Sequence, residues 1–322
     1  MIIANDTDFS GYMYEDNSLV NGWMAEGGYA YTCPAHGKNR TTIRLSLSLA
    51  GVSSLNKINT VQLNVSVGDR TGAHLFTINP KAKDVKRSKP LADDVVLIDD
   101  GGILVYLTGD WYVEKNYLCH YVVIVNNTDF SGYMYENGSL VNGWMAEGGY
   151  AYACPAYGKN MAKIKLNLSQ AGVPYLSKIN TIRLNVSVNG LEATQVFTIN
   201  PDAADLQNST PSSNDVVLID DGGVLVFLTG DWYFDSNYIC HDVIIVNNTE
   251  YSGYMHENDS LINGWLAEGG YAYACPAYGK NRTTIKLNPS QAGVTSWEEI
   301  DTIQLNVSVG NQEASYLFTY KD

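Results

Sequence analysis

What the chain lacks narrows the field first. No stretch approaches the run of about 18 apolar residues that a membrane-spanning helix needs, so no membrane span is expected. Positive charge is scarce. Twenty Lys and Arg stand against 34 Asp and Glu, and a net charge of -14 argues against nucleic-acid partners, which demand clustered cations. The most basic stretch, Lys81 to Lys89, lies between repeats and reads as a solvated linker. No Gly-x-Ser-x-Gly elbow, phosphate loop or His-Glu-x-x-His occurs, so no catalytic residue and no cofactor is expected. Close Cys or His pairs are missing too, which leaves no expected metal site. The first residues, Met1 to Asp6, have neither the charged region nor the apolar core of a secretion signal.

What is present is repetition. Phe9-Ser10-Gly11-Tyr12-Met13 returns as Phe130-Ser131-Gly132-Tyr133-Met134 and as Tyr251-Ser252-Gly253-Tyr254-Met255, at a constant offset of 121 residues. A fixed period of this kind marks a tandem array of like folding units. By register Met1 stands at the position of Val122, inside an expected strand. The first repeat is therefore read as truncated at its N-terminus, in a fragment of a longer protein with any export signal upstream. Without its opening strands it should offer an unpaired edge for pairing with another chain.

Cutting the period at Val122 would split the apolar run Tyr121 to Val125, whereas the polar, Pro- and Ser-bearing stretches near residues 81–94 and 201–215 carry no hydrophobic period. The expected organisation is a first repeat at 1–80, a linker at 81–94, a second repeat at 95–200, a linker at 201–215 and a third repeat at 216–322, each repeat packed separately and flexibly tethered to the next.

Within a repeat the dominant pattern has period two. Ile182, Leu184, Val186 and Val188 alternate with Arg183, Asn185 and Ser187, which predicts a strand with one dry face. It ends at Asn189-Gly190, a type I′ hairpin signal, and Leu191 to Ile199 returns beside it. Asn137-Gly138 predicts a second hairpin between Tyr133–Glu136 and Ser139–Val141, and Ser169 to Gly172 predicts the one short helical turn. Opening strands are expected at Val95–Ile98, Ile103–Leu107 and Leu118–Val125. About eight short strands per repeat make an all-β fold, a β-sandwich.

Asp99-Asp100-Gly101, Val125-Asn126-Asn127, Val141-Asn142-Gly143-Trp144-Met145, Pro155-Ala156-Tyr157-Gly158-Lys159 and the Ile179–Ile199 hairpin occur in that order. A unit so built resembles the immunoglobulin-like β-sandwich repeat of secreted and lipoprotein-type surface proteins of Gram-positive bacteria. The resemblance implies tandem immunoglobulin-like domains outside the cytoplasm, extracellular or at the cell surface, with no assigned chemistry.

The register also sorts the five cysteines: Cys119 with Cys154, Cys240 with Cys275, and Cys33 alone. One intradomain disulfide per complete repeat is expected, Cys119–Cys154 and Cys240–Cys275, with small buried thiols as the alternative. Candidate ligand-binding residues are the tryptophans and tyrosines that recur among polar groups: Trp111, Tyr112, Trp144 and Tyr150, with Trp232, Tyr233, Trp265 and Tyr271 in register. Flat rings stack on the apolar faces of sugars, and the same residues serve equally as strand packing. Trp111 and Trp232 are expected at strand ends. Asp99-Asp100-Gly101-Gly102 reads as a tight turn rather than a calcium ladder. His120 follows Cys119 directly in a strand, so the two should face opposite ways and share no proton; His241 repeats the arrangement. The expected function is a non-enzymatic stalk, spacer or protein-interaction array. The alternative is a multivalent carbohydrate-binding array with a cell-surface glycan as partner.

Overall fold

The computed structural model describes residues 1–83, 86–204 and 207–320; Asp84, Val85, Asp205 and Leu206, within the two expected linkers, lie outside the described residues, as do Lys321 and Asp322. The chain is all-β, a tandem series of β-sandwiches. Among the described residues the only helical turns are three short 3-10 segments, Leu55–Lys57, Leu176–Lys178 and Trp297–Glu299. The helical turn expected at Ser169–Gly172 is a hydrogen-bonded turn, and the 3-10 segment follows it.

The second repeat shows the layers most fully. Its first sheet runs Val95–Asp100, Ile103–Glu114, Tyr117–Asn126, Lys159–Asn167, every neighbour antiparallel. Its second sheet centres on Thr181–Val188, which pairs with Leu191–Thr198 along one edge. Along the other edge lie both Gly132–Glu136 and Leu140–Val141. The alternation read in the sequence holds, with Ile182, Leu184, Val186 and Val188 all buried and their neighbours part-exposed. Those side chains meet Ile103, Val105, Leu107, Leu118, Val122, Ile124 and Ile164 from the first sheet. Asn189 and Gly190 both take positive φ, as a type I′ turn requires.

The Asn137-Gly138 expectation is corrected. Gly132–Glu136 and Leu140–Val141 do not pair with each other; they share one long partner, and the chain between them simply steps along it. The true hairpin lies one element on, where Asn142 and Gly143 at positive φ join Leu140–Val141 to Trp144–Met145.

The flexible tethers expected between repeats are also corrected. Trp23–Met24 pairs in parallel with Lys159–Asn167 of the second repeat, with Lys159 N–H donating to Gly22 O at 2.8 Å. Trp144–Met145 does the same with Gly279–Leu287 of the third, Lys280 N–H donating to Gly143 O at 2.8 Å. At each junction the second sheet of one repeat runs on into the first sheet of the next as a single ten-stranded sheet. Period-two patterning could not reveal this, because the strands that make the join are two residues long.

The first repeat differs in its first sheet, which consists of Ile2–Asn5 paired with Gly37–Arg40. Its core is correspondingly small, with Ile3, Met13, Tyr31 and Cys33 as the buried cluster. Thr60–Val67, in register with the deeply buried Thr181–Val188, is only half-buried along nearly its whole length.

Candidate functional surfaces: the repeat junctions and the tyrosine face

Each junction is built around one tryptophan. Trp23 and Trp144 are 1 % and 0 % exposed, yet neither belongs solely to its own repeat's core. Trp23 packs with Val20, Ala25 and Ile58 of the first repeat and with Tyr106, Val123 and Val125 of the second. At the next junction the core of the second repeat, Trp144 included, extends onto Phe227, Ile244 and Val246 of the third. A lysine from the following repeat completes the cover, with Nζ 5.4 Å from the Trp23 ring for Lys159 and 5.2 Å from the Trp144 ring for Lys280, within cation–π range. Gly158 and Gly279 are the steric key. A Cβ at Gly158 would stand 2.9 Å from a methyl of Leu19 in the preceding repeat, and one at Gly279 2.9 Å from Leu140, so a side chain at either position would push against the leucine that the glycine seats.

Trp265, in register with Trp23 and Trp144, is 68 % exposed, the one tryptophan of six that lies open. The candidates Trp144 and Trp265 are thus the same device, once covered and once uncovered.

Trp111 and Trp232 do not end strands. They sit inside Ile103–Glu114 and Val224–Asp235, just past a register shift where Gly109 and Gly230 take positive φ. The bulge turns each indole inward between the sheets. Trp111 meets His120 edge-on at 4.6 Å and Phe197 at 5.5 Å, and Trp232 meets His241 at 4.8 Å and Phe318 at 5.5 Å. His120 and His241 are buried with them, and burial pushes both imidazoles below the usual histidine range. Trp111 and Trp232 are packing residues.

The candidate tyrosines converge elsewhere. Tyr117, Cys119 and Tyr121 point to the outer face of the first sheet, opposite Tyr112, Glu114, Lys163 and Lys165 on its neighbours. Tyr112 and Tyr121 lie 5.9 Å apart with Lys163 Nζ 5.5 Å from the Tyr112 ring, and Lys163 also meets Glu114 at 2.5 Å. Tyr150 reaches over the same face to Tyr117 at 6.2 Å, with Lys165 Nζ 4.8 Å from its ring. The third repeat repeats the arrangement with Tyr238 and Tyr271 at 6.0 Å, Lys286, and Tyr233 beside Asp242. Sequence reasoning missed Tyr117, Tyr121, Lys163 and Lys165 as members of this face, although their period-two spacing on two neighbouring strands carried the signal.

Tyr150 is placed by a buried carboxylate. Glu136, 1 % exposed, accepts from Gly148 N–H at 3.0 Å and Ser139 N–H at 3.3 Å. Gly148 crosses Lys165 so closely that a Cβ would fall 1.8 Å from the Lys165 carbonyl oxygen. Glu15 with Gly27 and Glu257 with Gly269 repeat the clamp. Burial pushes the Glu136 carboxyl up to about 7 against the pull of its two N–H donors.

The disulfides are corrected. All five cysteines are buried free thiols. Asn126 donates to the Pro155 carbonyl at 3.1 Å, which puts Cys154 at the far end of Tyr117–Asn126 from Cys119. Seven residues of extended strand span roughly 20 Å, whereas a bridge needs Cα atoms within about 7 Å. Burial raises the Cys119 thiol and raises that of Cys154 to about 11, so both stay protonated and inert at neutral pH. Alkylation of the unfolded, unreduced protein followed by mass measurement should add five labels; a product carrying one label would restore two bridges.

Asp99 and Asp100 end in the tight turn at Gly101-Gly102, where Gly101 N–H caps the Asp100 carboxylate at 2.7 Å. Among the described residues no three His, Cys, Asp or Glu side chains gather closely enough to hold a metal ion. The Asn126 side chain pins the loop that follows its strand: it donates to Phe130 O and accepts from both the N–H and the hydroxyl of Thr128.

Comparison with protein-family models, with curated proteins and with solved structures gives no match to this chain.

Proposed function

We propose that the chain is a non-enzymatic array of β-sandwich repeats, extracellular or attached to a cell surface, that acts as a stalk, spacer or protein-interaction module. The observation that carries this reading is the burial of Trp23 and Trp144 at the junctions, each under the following repeat and beside a parallel strand pair. A loosely strung array gains nothing from such a join, whereas a spacer needs one repeat to fix the direction of the next. The extracellular placement draws support from the sequence resemblance to bacterial surface repeats. Small-angle X-ray scattering tests the spacer role: one fixed inter-repeat arrangement should fit the full distance distribution at low and high salt. A profile that only freely pivoting repeats can fit would remove the reading.

A second reading, multivalent carbohydrate binding, draws on the tyrosine and lysine face recurring in the second and third repeats. Rings flanked by charged hydrogen-bonding groups suit stacking on sugars, and two weak sites in one chain gain avidity on a polymer. Retention on insoluble polysaccharide should fall with the double substitution Tyr112→Ala and Tyr150→Ala. If the unaltered protein is retained on no polysaccharide, this reading goes.

A further inference from the structure

The third repeat ends its second sheet at Trp265–Leu266, a strand whose outer edge is unpaired among the described residues. The matching edges at Trp23 and Trp144 are each covered by a following repeat. Here Trp265 is 68 % exposed, Leu266 is 46 % exposed, and Leu261, in register with the buried Leu19 and Leu140, is only half-buried. The apolar groups of a junction are in place here and, among the described residues, no following strand covers them.

The other end of the chain carries most of the opposite half. Ile2 and Ala4 stand in register with Val123 and Val125, the residues that cover Trp23, and both are exposed, Ile2 at 69 %. Lys38 stands in register with Lys159 and Lys280 and is exposed, on a strand paired only with Ile2–Asn5. The three atoms nearest a Cβ at Gly37, in register with Gly158 and Gly279, all belong to its own repeat's Pro34, so no leucine fills the place that Leu19 and Leu140 take at the internal junctions.

We propose that the Trp265 edge docks the N-terminal edge of a second copy of this chain, in the geometry of the internal junctions. Trp265 packs on Ile2 and Ala4, Leu261 enters the space above Gly37, and Lys38 lies over the indole while its N–H pairs with the Gly264 carbonyl. The contact is heterologous and does not close on itself, so copies add head to tail. It draws on junction geometry and is independent of what the array binds.

Sedimentation velocity on the full chain from micromolar to near-millimolar concentration provides the test, with iodide quenching of tryptophan emission alongside. The weight-average sedimentation coefficient should rise with concentration while the quenchable fraction falls. Trp265→Ser, at an exposed position that leaves the fold intact, should weaken association about tenfold or more, and Ile2→Asp should do the same from the other side. Mixing the two variants should give a 1:1 dimer that grows no further, because each retains one good edge. Concentration-independent sedimentation of the unaltered protein would overturn the proposal. So would association that survives Trp265→Ser, since another surface would then be responsible. If the unaltered chain stays monomeric but appending a further repeat after residue 322 protects Trp265 from iodide, the edge belongs to a repeat in the same chain, and the second-copy proposal fails.

Discussion

Trp144→Ala is expected to destabilise the chain by about 3–5 kcal/mol, the range for truncating a large buried aromatic, while Trp265→Ala should shift stability by no more than about 0.5 kcal/mol. The two residues occupy the same place in the repeat, on strands that leave the same type I′ turn, and differ in what lies over them. Trp144 has Phe227, Ile244 and Val246 of the third repeat packed with its cluster and the Lys280 ammonium 5.2 Å from its ring. The difference between the two substitutions therefore isolates the junction from the repeat's own core. Removing the Trp144 indole should also uncouple the second and third repeats. A single calorimetric transition would broaden or divide, and the scattering profile would gain the signature of a hinge. Gly279→Val reaches the junction from the other side, by driving a side chain against Leu140, and should loosen the same pair of repeats. Equal stability losses at Trp144 and Trp265 would mean that the indole works within its own repeat and that the junction is not held by it.

How much of this was legible beforehand depends on the range of the interaction. The long strands announced themselves, because burial of one face leaves a period-two record over eight residues, as at Thr181–Val188. The turn at Asn189-Gly190 was equally plain, since positive φ at two successive positions selects for those residues. The tryptophans are ambiguous in the sequence. A Trp among Asn and Gly reads the same whether it stacks on a sugar or on the next repeat, and its cover, Tyr106 or Phe227, lies some 80 residues further along the chain. Trp111 was misplaced because a bulge at Gly109 lets one strand continue where alternation breaks. The cysteines misled by arithmetic: two per repeat suggested a pair, but the strand register that separates them is a tertiary fact. Glu136 leaves no such record. A single acidic residue at the end of a tyrosine-rich strand carries no sign that it is buried, or that a glycine N–H twelve residues on will close over it.

That carboxylate gives the second large effect. Glu136→Ala strands the N–H groups of Ser139 and Gly148 in a buried site, at about 1–3 kcal/mol for each donor left without an acceptor. The loss should appear both in stability and in Tyr150, whose loop Gly148 anchors over Lys165. Glu136→Gln separates charge from shape. Burial raises the folded-state pKa of Glu136 to about 7, above the ordinary carboxylate value of 4.5, so the fold favours the protonated form. A raised folded pKa contributes stability that is fully present below the unfolded value and lost as pH climbs through the folded one. The unaltered protein should therefore lose stability between about pH 4.5 and 7 relative to the Gln variant, whose amide does not titrate. His120 and His241 act in the opposite sense: their lowered values contribute stability present above the ordinary histidine range and lost on acidification. Both proteins carry these histidines, so they cancel in the difference. Denaturant midpoints measured across that window, variant against unaltered protein, should diverge steadily toward neutral pH. Parallel curves would show that Glu136 holds the N–H groups of Ser139 and Gly148 without the cost that burial of its charge implies.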